Sequence, residues 1–164
     1  MPELNNQKFS HLKIHTQYSI CEGAIKIDNL KSFCKENKIA SLGLSDTSNL
    51  CGALEFAENI SKVGTQPIIG TQINFRYEDT TGLLPLIALN EKGYKRIIEL
   101  SSRSYLENDA LSDPHLDIKE LLRDTEGVLL LSGTIHGLFG KLFQKGRLEE
   151  VSKIYKSLLS KFHD

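Results

Sequence analysis

The sequence predicts an α/β fold in which helices connect the strands of one sheet, and a barrel is the favoured architecture. Short apolar runs alternate with amphipathic helical patterns along the 164 residues, which is typical of parallel βαβ units. Four of the predicted strands are followed by polar residues at their C-terminal ends, where barrel folds place their chemistry. These residues are His15, Asp46, Gln72 and Thr134.

The first part of the chain predicts two strands and two helices. Residues 9–15 alternate in polarity as a strand does, and Asp28 is placed to cap a helix that ends near Lys38. A short strand over 41–45 precedes a helix over 50–62, which ends before Gly64. The apolar stripes assigned to these helices are Leu30, Phe33 and Cys34 in the first, and Leu50, Ala53, Leu54, Ala57 and Ile60 in the second.

The rest of the chain predicts three further strands and three helices. Strands are expected over 67–75, 84–89 and 127–131, and a polar turn ending at Gly82 separates the first two. Helices are expected over 91–106, 118–123 and 147–162, with a loop over 109–117. The inner face assigned to the helix over 91–106 is Tyr94, Ile97, Ile98 and Tyr105.

Five strands are too few for a complete barrel of this type, which usually needs about 200 residues or more. No linker, repeat or low-complexity tract divides the sequence, so residues 1–164 are expected to form one domain that is cut short.

The composition excludes several classes of protein. Twenty Lys and Arg nearly balance 21 Asp and Glu, so no strong field attracts nucleic acid or an anionic membrane, and any DNA contact is expected elsewhere. Three cysteines without a C-x-x-C pair argue against a disulfide framework and indicate a reducing cytoplasm. Residues 1–8 are polar and no apolar run reaches about 18 residues, so we expect a soluble protein that starts at its own Met.

The first strand carries the strongest chemical signal. Alternation along a strand places His11, Lys13 and His15 on one face, close to the polar turn that follows. A divalent metal would require a neutral imidazole at the middle position, where lysine supplies a fixed positive charge instead. The strand therefore predicts a metal site in which a cation has replaced one ligand.

Four blocks of sequence, taken in order, carry a family resemblance. They are His11-Leu-Lys-Ile-His15-Thr-Gln-Tyr-Ser19, Leu42-Gly-Leu-Ser-Asp46-Thr-Ser-Asn-Leu-Cys-Gly52, Pro67-Ile-Ile-Gly70-Thr-Gln72 and Leu130-Leu-Ser-Gly133. They resemble the polymerase and histidinol phosphatase (PHP) domain, in the version that begins the bacterial replicative DNA polymerase III alpha subunit. The resemblance implies a distorted (β/α)7 barrel that binds up to three metals, with the later strands and the fingers, palm and thumb of a polymerase beyond this chain.

Transferred position by position, the resemblance implies a site that has lost ligands. The His-x-His of metal-binding members falls on Lys13 and His15, and the next carboxylate falls on Glu22. Asp46 is retained, but the histidine that often follows it falls on Thr47. The bridging glutamate falls on Gln72 and the Ser-Gly-Cys ligand on Thr134. The remaining candidate ligands are His15, Glu22 and Asp46, with His11 beside them; His136 is a less favoured replacement.

These losses predict a scaffold without metal. A unit charge repels another by about 4 kcal/mol at ~4 Å and an effective dielectric of 20, and a divalent ion doubles this. We expect Lys13 to pair with Glu22 and Asp46 in place of the metal. The resemblance then implies a fragment that is inactive alone and docks the proofreading exonuclease (epsilon) subunit. The parent would be a DNA-directed DNA polymerase, a nucleotidyltransferase that uses Mg²⁺ in domains beyond this chain.

Two alternatives stay open. The first is an active PHP metallophosphoesterase or 3′-5′ exonuclease that uses a di- or trinuclear Zn²⁺ or Mn²⁺ site. The second is a free-standing interaction module. Among the residues, structural remnants are favoured over live catalytic groups at His15, Glu22 and Asp46.

Overall fold

The computed structural model describes residues 9–162; the polar segment 1–8 and the last two residues lie outside the described residues. The described residues form six strands and six helices. In chain order they are β1 His11–Ile14, α1 Ile27–Asn37, β2 Ser41–Thr47, α2 Ala53–Ser61, β3 Gln66–Tyr77, β4 Thr80–Ala88, α3 Glu91–Leu106, β5 Leu116–Asp117, α4 Ile118–Arg123, β6 Val128–Leu130, α5 Leu138–Gln144 and α6 Leu148–Leu159.

The strands form one mixed sheet, which confirms an α/β fold. The order is β1-β2-β3-β4-β6, and β5 pairs with β3 beside this row. β1, β2 and β3 are parallel, as predicted, but β4 runs antiparallel to both β3 and β6. β3 and β4 are therefore a hairpin and not a βαβ unit. β6 consequently runs parallel to the first three strands, and within residues 9–162 the sheet is open at β1 and β6.

The helices cover one face of the sheet. Leu42 and Leu44 of β2 pack against α1 and α2 in one buried cluster. Ile73 of β3 and Leu86 of β4 belong to a second cluster, which includes buried residues of α3, α4, α5 and α6. Because side chains alternate along a strand, Thr47 and Gln72 point to the opposite face. That opposite face holds the candidate site.

The predicted start and inner face of α1 are wrong in detail. Lys26 occupies the N-cap position without a side-chain hydrogen bond, and Asp28 lies inside the first turn of the helix. Ile27, Leu30 and Cys34 form the buried stripe, whereas Phe33 is 45% exposed. Aspartate also favours the first turn through the helix dipole, so its position near the start does not by itself identify the cap.

The apolar periodicity also predicted the buried faces of the next two helices incorrectly in part. Leu54 of α2, predicted as buried, is 72% exposed. On α3, Ile97 is buried as predicted, but Ile98 and Tyr105 are exposed and Tyr94 is half-buried. Small or polar residues complete the true inner face, which is Gly93, Arg96, Leu100, Ser101 and Ser104 together with Ile97. A pattern scored on apolar residues alone misses such positions.

Two elements were not predicted. β5 lies in the segment assigned to a loop, and its two residues pair with Phe75 and Arg76 of β3. α5 contains Gly140, which lowers helix propensity, yet a Cβ at this position would overlap the backbone of Ile135. The close approach explains why glycine is present in a helix. Over residues 9–162, no helix has the length and apolar character needed to cross a membrane.

Candidate functional site

The candidate site lies on the uncovered face, where strand register brings its residues to one level. Thr47 of β2 pairs with Gln72 of β3, and Gln72 pairs with Pro85 of β4. The backbone N–H of Leu131, just after β6, donates to the Pro85 carbonyl at 3.0 Å. Residues that follow β1, β2 and β6 therefore meet at the same end of the sheet.

Four of the predicted site residues form a continuous polar row. The Gln72 Nε2 group donates to Thr47 Oγ1 at 2.7 Å, and Thr47 Oγ1 donates to Glu22 Oε2. His15 Nδ1 lies 3.9 Å from the same Glu22 oxygen. The Thr47 hydroxyl thus holds the carboxylate directly, and the Gln72 amide orients that hydroxyl.

Asp46, another of the predicted site residues, is not part of this row and anchors a loop instead. Its side chain is fully buried and accepts three hydrogen bonds from the loop after β1. Thr16 donates through its backbone N–H at 2.6 Å and its hydroxyl at 2.7 Å, and the Ser19 hydroxyl donates at 2.6 Å. Asp46 follows Leu44 on the helix side of β2, so it faces away from the Gln72 row. Both carboxylate oxygens are occupied in fixing the loop.

Ser19 connects Asp46 to the polar row and was not predicted as a site residue. Its hydroxyl donates to Asp46, accepts from the backbone N–H of Thr47 at 3.0 Å, and lies 3.4 Å from His15 Nδ1. The signal for Ser19 and Thr16 was available in the sequence. A buried aspartate needs donors, and small hydroxyl residues in an adjacent loop are suitable ones.

The same loop is also attached to α2. The Tyr18 hydroxyl donates to Glu55 Oε2 at 2.7 Å, which raises the pKa of Tyr18 above its ordinary value. The Asn49 side-chain amide donates to the Tyr18 carbonyl at 2.9 Å. A Cβ at Gly52 would meet the Tyr18 ring at 2.6 Å, so glycine leaves room for the aromatic side chain. The loop that carries Glu22 is therefore held from two sides.

Lys13 does not pair with Glu22 or Asp46, contrary to the prediction. β1 changes register between His11, which pairs with Leu42, and Ile14, which pairs with Leu44. Three residues along β1 therefore advance the pairing by only two residues along β2. Because of this irregularity, the regular alternation assumed for residues 11, 13 and 15 fails. Lys13 is exposed, and the ion pairs recorded for residues 9–162 do not include it.

Lys13 nevertheless affects the site through space. Partial burial is the main reason why the pKa of His15 lies below its ordinary value of 6.5, and the charge of Lys13 lowers it further. Glu22 and Asp46 act on this pKa in the opposite direction, with smaller effects. A lowered pKa keeps the imidazole neutral at physiological pH. Lys13 therefore biases the protonation of His15 without contacting either carboxylate.

The remaining predicted residues lie apart from the row. The His11 ring stacks edge-on against Phe9, with ring centroids 4.8 Å apart. Thr134 is exposed in the turn after β6, and its hydroxyl accepts the backbone N–H of His136 at 3.3 Å. His136 is also exposed. The described hydrogen bonds do not connect these three residues to Gln72, Thr47 or Glu22.

The donor set does not fit a polynuclear metal centre. Asp46 already accepts three hydrogen bonds, Gln72 is a neutral amide, and Lys13 places positive charge close to His15. Only His15 and Glu22 are left as ligands of the usual types, fewer than a structural or catalytic site needs. Across residues 9–162, no three His, Cys, Asp or Glu side chains form a group that could hold a metal ion.

Comparison with known proteins shows which family this sequence resembles. The PHP domain family model matches residues 11–164. DNA polymerase III subunit alpha from Caulobacter vibrioides is 35% identical over 100% of this chain, and its Vibrio cholerae counterpart is 30% identical over 98%. The corresponding protein of Rickettsia felis is 35% identical over 90% of the chain. The chain spans only 12–15% of the length of these curated relatives.

Proposed function

Because the chain belongs to the PHP domain family, we propose that it is the N-terminal part of the PHP domain of a bacterial DNA polymerase III alpha subunit, and that this domain serves as a scaffold. The observation that carries the scaffold role is the hydrogen-bonded row from Gln72 through Thr47 to Glu22. It occupies the level of the sheet at which the resemblance places metal ligands. Neutral side chains there hold and orient the Glu22 carboxylate by hydrogen bonding, without a cation.

Asp46 supports the same proposal. Asp46 already uses three of about four acceptor sites of its carboxylate to hold Thr16 and Ser19, so coordination through Oδ1 or through both oxygens would compete with these bonds. Breaking these bonds to coordinate an ion would leave buried donors unsatisfied, at a cost of about 1 to 3 kcal/mol each. The site is therefore better suited to fixing the loop after β1 than to catalysis.

The proposed domain is a distorted (β/α)7 barrel of which this chain supplies the first part. The open edge at β6 adjoins an apolar groove of about 440 Å³ between the strand and α6. Its walls include Leu129 and Leu131 on one side and Tyr155, Leu159 and Phe162 on the other. A soluble domain rarely leaves such a groove beside an unpaired strand, so we assign the next strand and helix of the barrel to this position.

We propose that the residues responsible for the catalytic activity of the parent protein lie outside this chain. The parent is a DNA-directed DNA polymerase whose Mg²⁺-binding carboxylates belong to a palm domain further along. The PHP domain would dock the proofreading exonuclease (epsilon) subunit in the bacterial cytoplasm. The curated relatives, which are DNA polymerase III alpha subunits several times longer than this chain, support the identity proposed for the parent.

The test compares the protein with a variant in which two ligands of the family are restored. We expect the unmodified protein to bind no stoichiometric Zn²⁺ or Mn²⁺ and to show no hydrolysis of a phosphodiester substrate above background. Lys13→His combined with Gln72→Glu should increase metal content, measured by elemental analysis after dialysis. Metal-dependent hydrolysis by the unmodified protein would overturn the scaffold role. Failure of the exonuclease subunit to co-elute with the full-length parent would overturn the docking role.

A further inference from the structure

A cationic depression lies between α1 and α2, on the helix-covered side of the sheet and away from the polar row. It has a volume of about 740 Å³ and is open to solvent. Its lining comprises Asp28, Lys31, Ser32 and Lys35 from α1, with Lys62 and Val63 at the end of α2. Three ammonium groups and one carboxylate give the lining a net charge of +2. We call this depression the lysine groove.

Within the described residues, the lysines of this groove form no recorded ion pair with an acidic residue. Every lysine or arginine ion pair recorded for residues 9–162 lies between residues 78 and 150, outside α1 and α2. Lys31, Lys35 and Lys62 form none of these pairs. Asp28, one turn before Lys31 on α1, is the one acidic residue of the lining. Glu36 and Glu58, the acidic residues nearest to Lys35 and Lys62 along the chain, do not line the groove.

Helix stabilisation accounts for only part of this arrangement. Lys35 lies in the last turn of α1 and Lys62 at the C-cap of α2, where positive charge favours the negative end of the helix dipole. Lys31 lies in the middle of α1 and gains nothing from the dipole. Its position one turn before Lys35 places the two side chains on one face of the helix, with their backbone positions about 6 Å apart along the axis.

We propose that the lysine groove binds the phosphate backbone of DNA. Lysine binds phosphate as a point charge, and the Ser32 hydroxyl supplies a neutral donor beside it. The lining holds no aromatic side chain on which a base would stack, and no tryptophan, tyrosine or arginine of the kind that anchors protein interfaces. The groove therefore fits sequence-independent contact with phosphates. It adds a DNA contact within this chain, which the near-neutral composition did not predict.

The inference is tested by the salt dependence of DNA binding, measured by fluorescence anisotropy with the full chain and a short labelled duplex. Each phosphate contact contributes about 0.9 to the slope of log affinity against log salt concentration. We expect the triple variant Lys31→Gln, Lys35→Gln, Lys62→Gln to bind with a slope shallower by about 2 to 3. The matching variant with Arg at all three positions should retain the original slope.

A second triple variant controls for net charge. Lys153, Lys156 and Lys161 are exposed on or beside α6, and no ion pair is recorded for them in the described part of the chain. Replacing these three by Gln should leave the slope unchanged. Equal effects of the two triple variants would overturn the inference, as would lysine-dependent binding of polyglutamate without binding of DNA. Exonuclease co-elution should be unaffected in the groove variant, so failure of the groove and failure of the docking role are separate results.

Discussion

Asp46, one of the candidate metal ligands in the sequence, accepts the hydrogen bonds that fix the loop after β1. Its three hydrogen bonds come from two residues that lie about 30 positions earlier in the chain. Hydrogen bonds to a charged acceptor stabilise a protein by about 1.5 to 3 kcal/mol each, although such contributions overlap within one network. The carboxylate therefore connects the end of β1 to β2.

Substitution Asp46→Asn tests this role. The new side-chain NH2 group would face a hydrogen-bond donor where a carboxylate oxygen had accepted one. We therefore expect the free energy of unfolding, measured in urea, to fall by about 2 to 4 kcal/mol. The exposed substitution Asp113→Asn is the matched control and should change it by less than about 0.5 kcal/mol. A loss smaller than about 1 kcal/mol at Asp46 would contradict the structural role.

Lys13 provides a second test at the residue scale. Removal of its charge in Lys13→Gln should raise the pKa of His15 toward 6.5, although burial still holds the pKa lower. A pH titration followed by NMR of the imidazole ring measures the shift, with Lys156→Gln as a distant control. An unchanged or lower pKa in Lys13→Gln would show that the lysine charge does not reach His15.

The direction of the linked stability change follows from the same pKa. The folded state holds the pKa of His15 below the unfolded value, so the unfolded state binds more protons in this range. The contribution of His15 to stability is therefore complete above about pH 6.5 and is lost as the pH falls through the folded pKa. Lys13→Gln should make that loss smaller.

At the residue scale, the sequence located the site better than it assigned the roles within it. Alternation and family spacing selected His15, Glu22, Thr47 and Gln72, which the structure brings together. The role of Lys13 was wrong because an irregularity in a four-residue strand is not visible in a polarity pattern. The donors to Asp46 were missed because they lie in a loop, which has no periodicity to interpret.

At the element scale, close packing of backbone decides the identity of several residues. Gly93 lies in the first turn of α3, where a Cβ would overlap the carbonyl oxygen of Gly127 before β6. The Leu89 N–H donates to this carbonyl at 2.8 Å, so the oxygen is fixed in place. The contact between α3 and the turn therefore requires glycine at position 93.

Gly93→Ala tests the contact because packing and helix propensity predict opposite signs. Propensity alone would stabilise the helix by about 1 kcal/mol, whereas the overlap should destabilise the protein by about 2 to 3 kcal/mol. Thermal and urea unfolding measure the difference. Ser102→Ala, at an exposed position of the same helix, is the control and should be neutral or slightly stabilising. A stabilised Gly93→Ala protein would contradict the packing argument.

The elements that the sequence predicted well were those with strong local patterns. Helices α2, α3, α4 and α6 and strand β3 were predicted close to their observed positions, but β4 begins at Thr80, so the turn predicted to end at Gly82 is wrong. β5 has only two residues, and α5 contains a glycine required by tertiary contact, so neither produced a local signal. The antiparallel direction of β4 was missed because the parallel arrangement was inferred from strands that alternate with helices. That inference does not apply to two strands joined by a short turn with no helix between them.

At the scale of the whole molecule, the open edge has consequences for solution behaviour. Leu129, Tyr155 and Leu159 are 37%, 51% and 57% exposed around the groove beside β6. Unpaired strand edges beside apolar surface promote association between copies. The 164-residue chain alone should therefore self-associate increasingly as its concentration is raised.

Sedimentation velocity measures this association. Leu129→Lys combined with Leu159→Lys should shift the 164-residue chain toward the monomer, because charge at an edge opposes pairing. Leu111→Lys, at a fully exposed position of a different loop, is the control and should leave the association unchanged. A wild-type chain that stays monomeric would remove one support for the proposed barrel continuation.

The β3–β4 hairpin has a further consequence for the order in which the chain folds. Eight residue pairs are joined through the turn at Glu78 and Asp79, so these contacts are local along the sequence. Arg147 then ties that turn to the start of α6 through ion pairs with both carboxylates. Local pairs close with a small loss of chain entropy, whereas β1 must find β2 across a loop and a helix. The hairpin is the natural folding nucleus, and its amides should be protected from hydrogen exchange before those of β1.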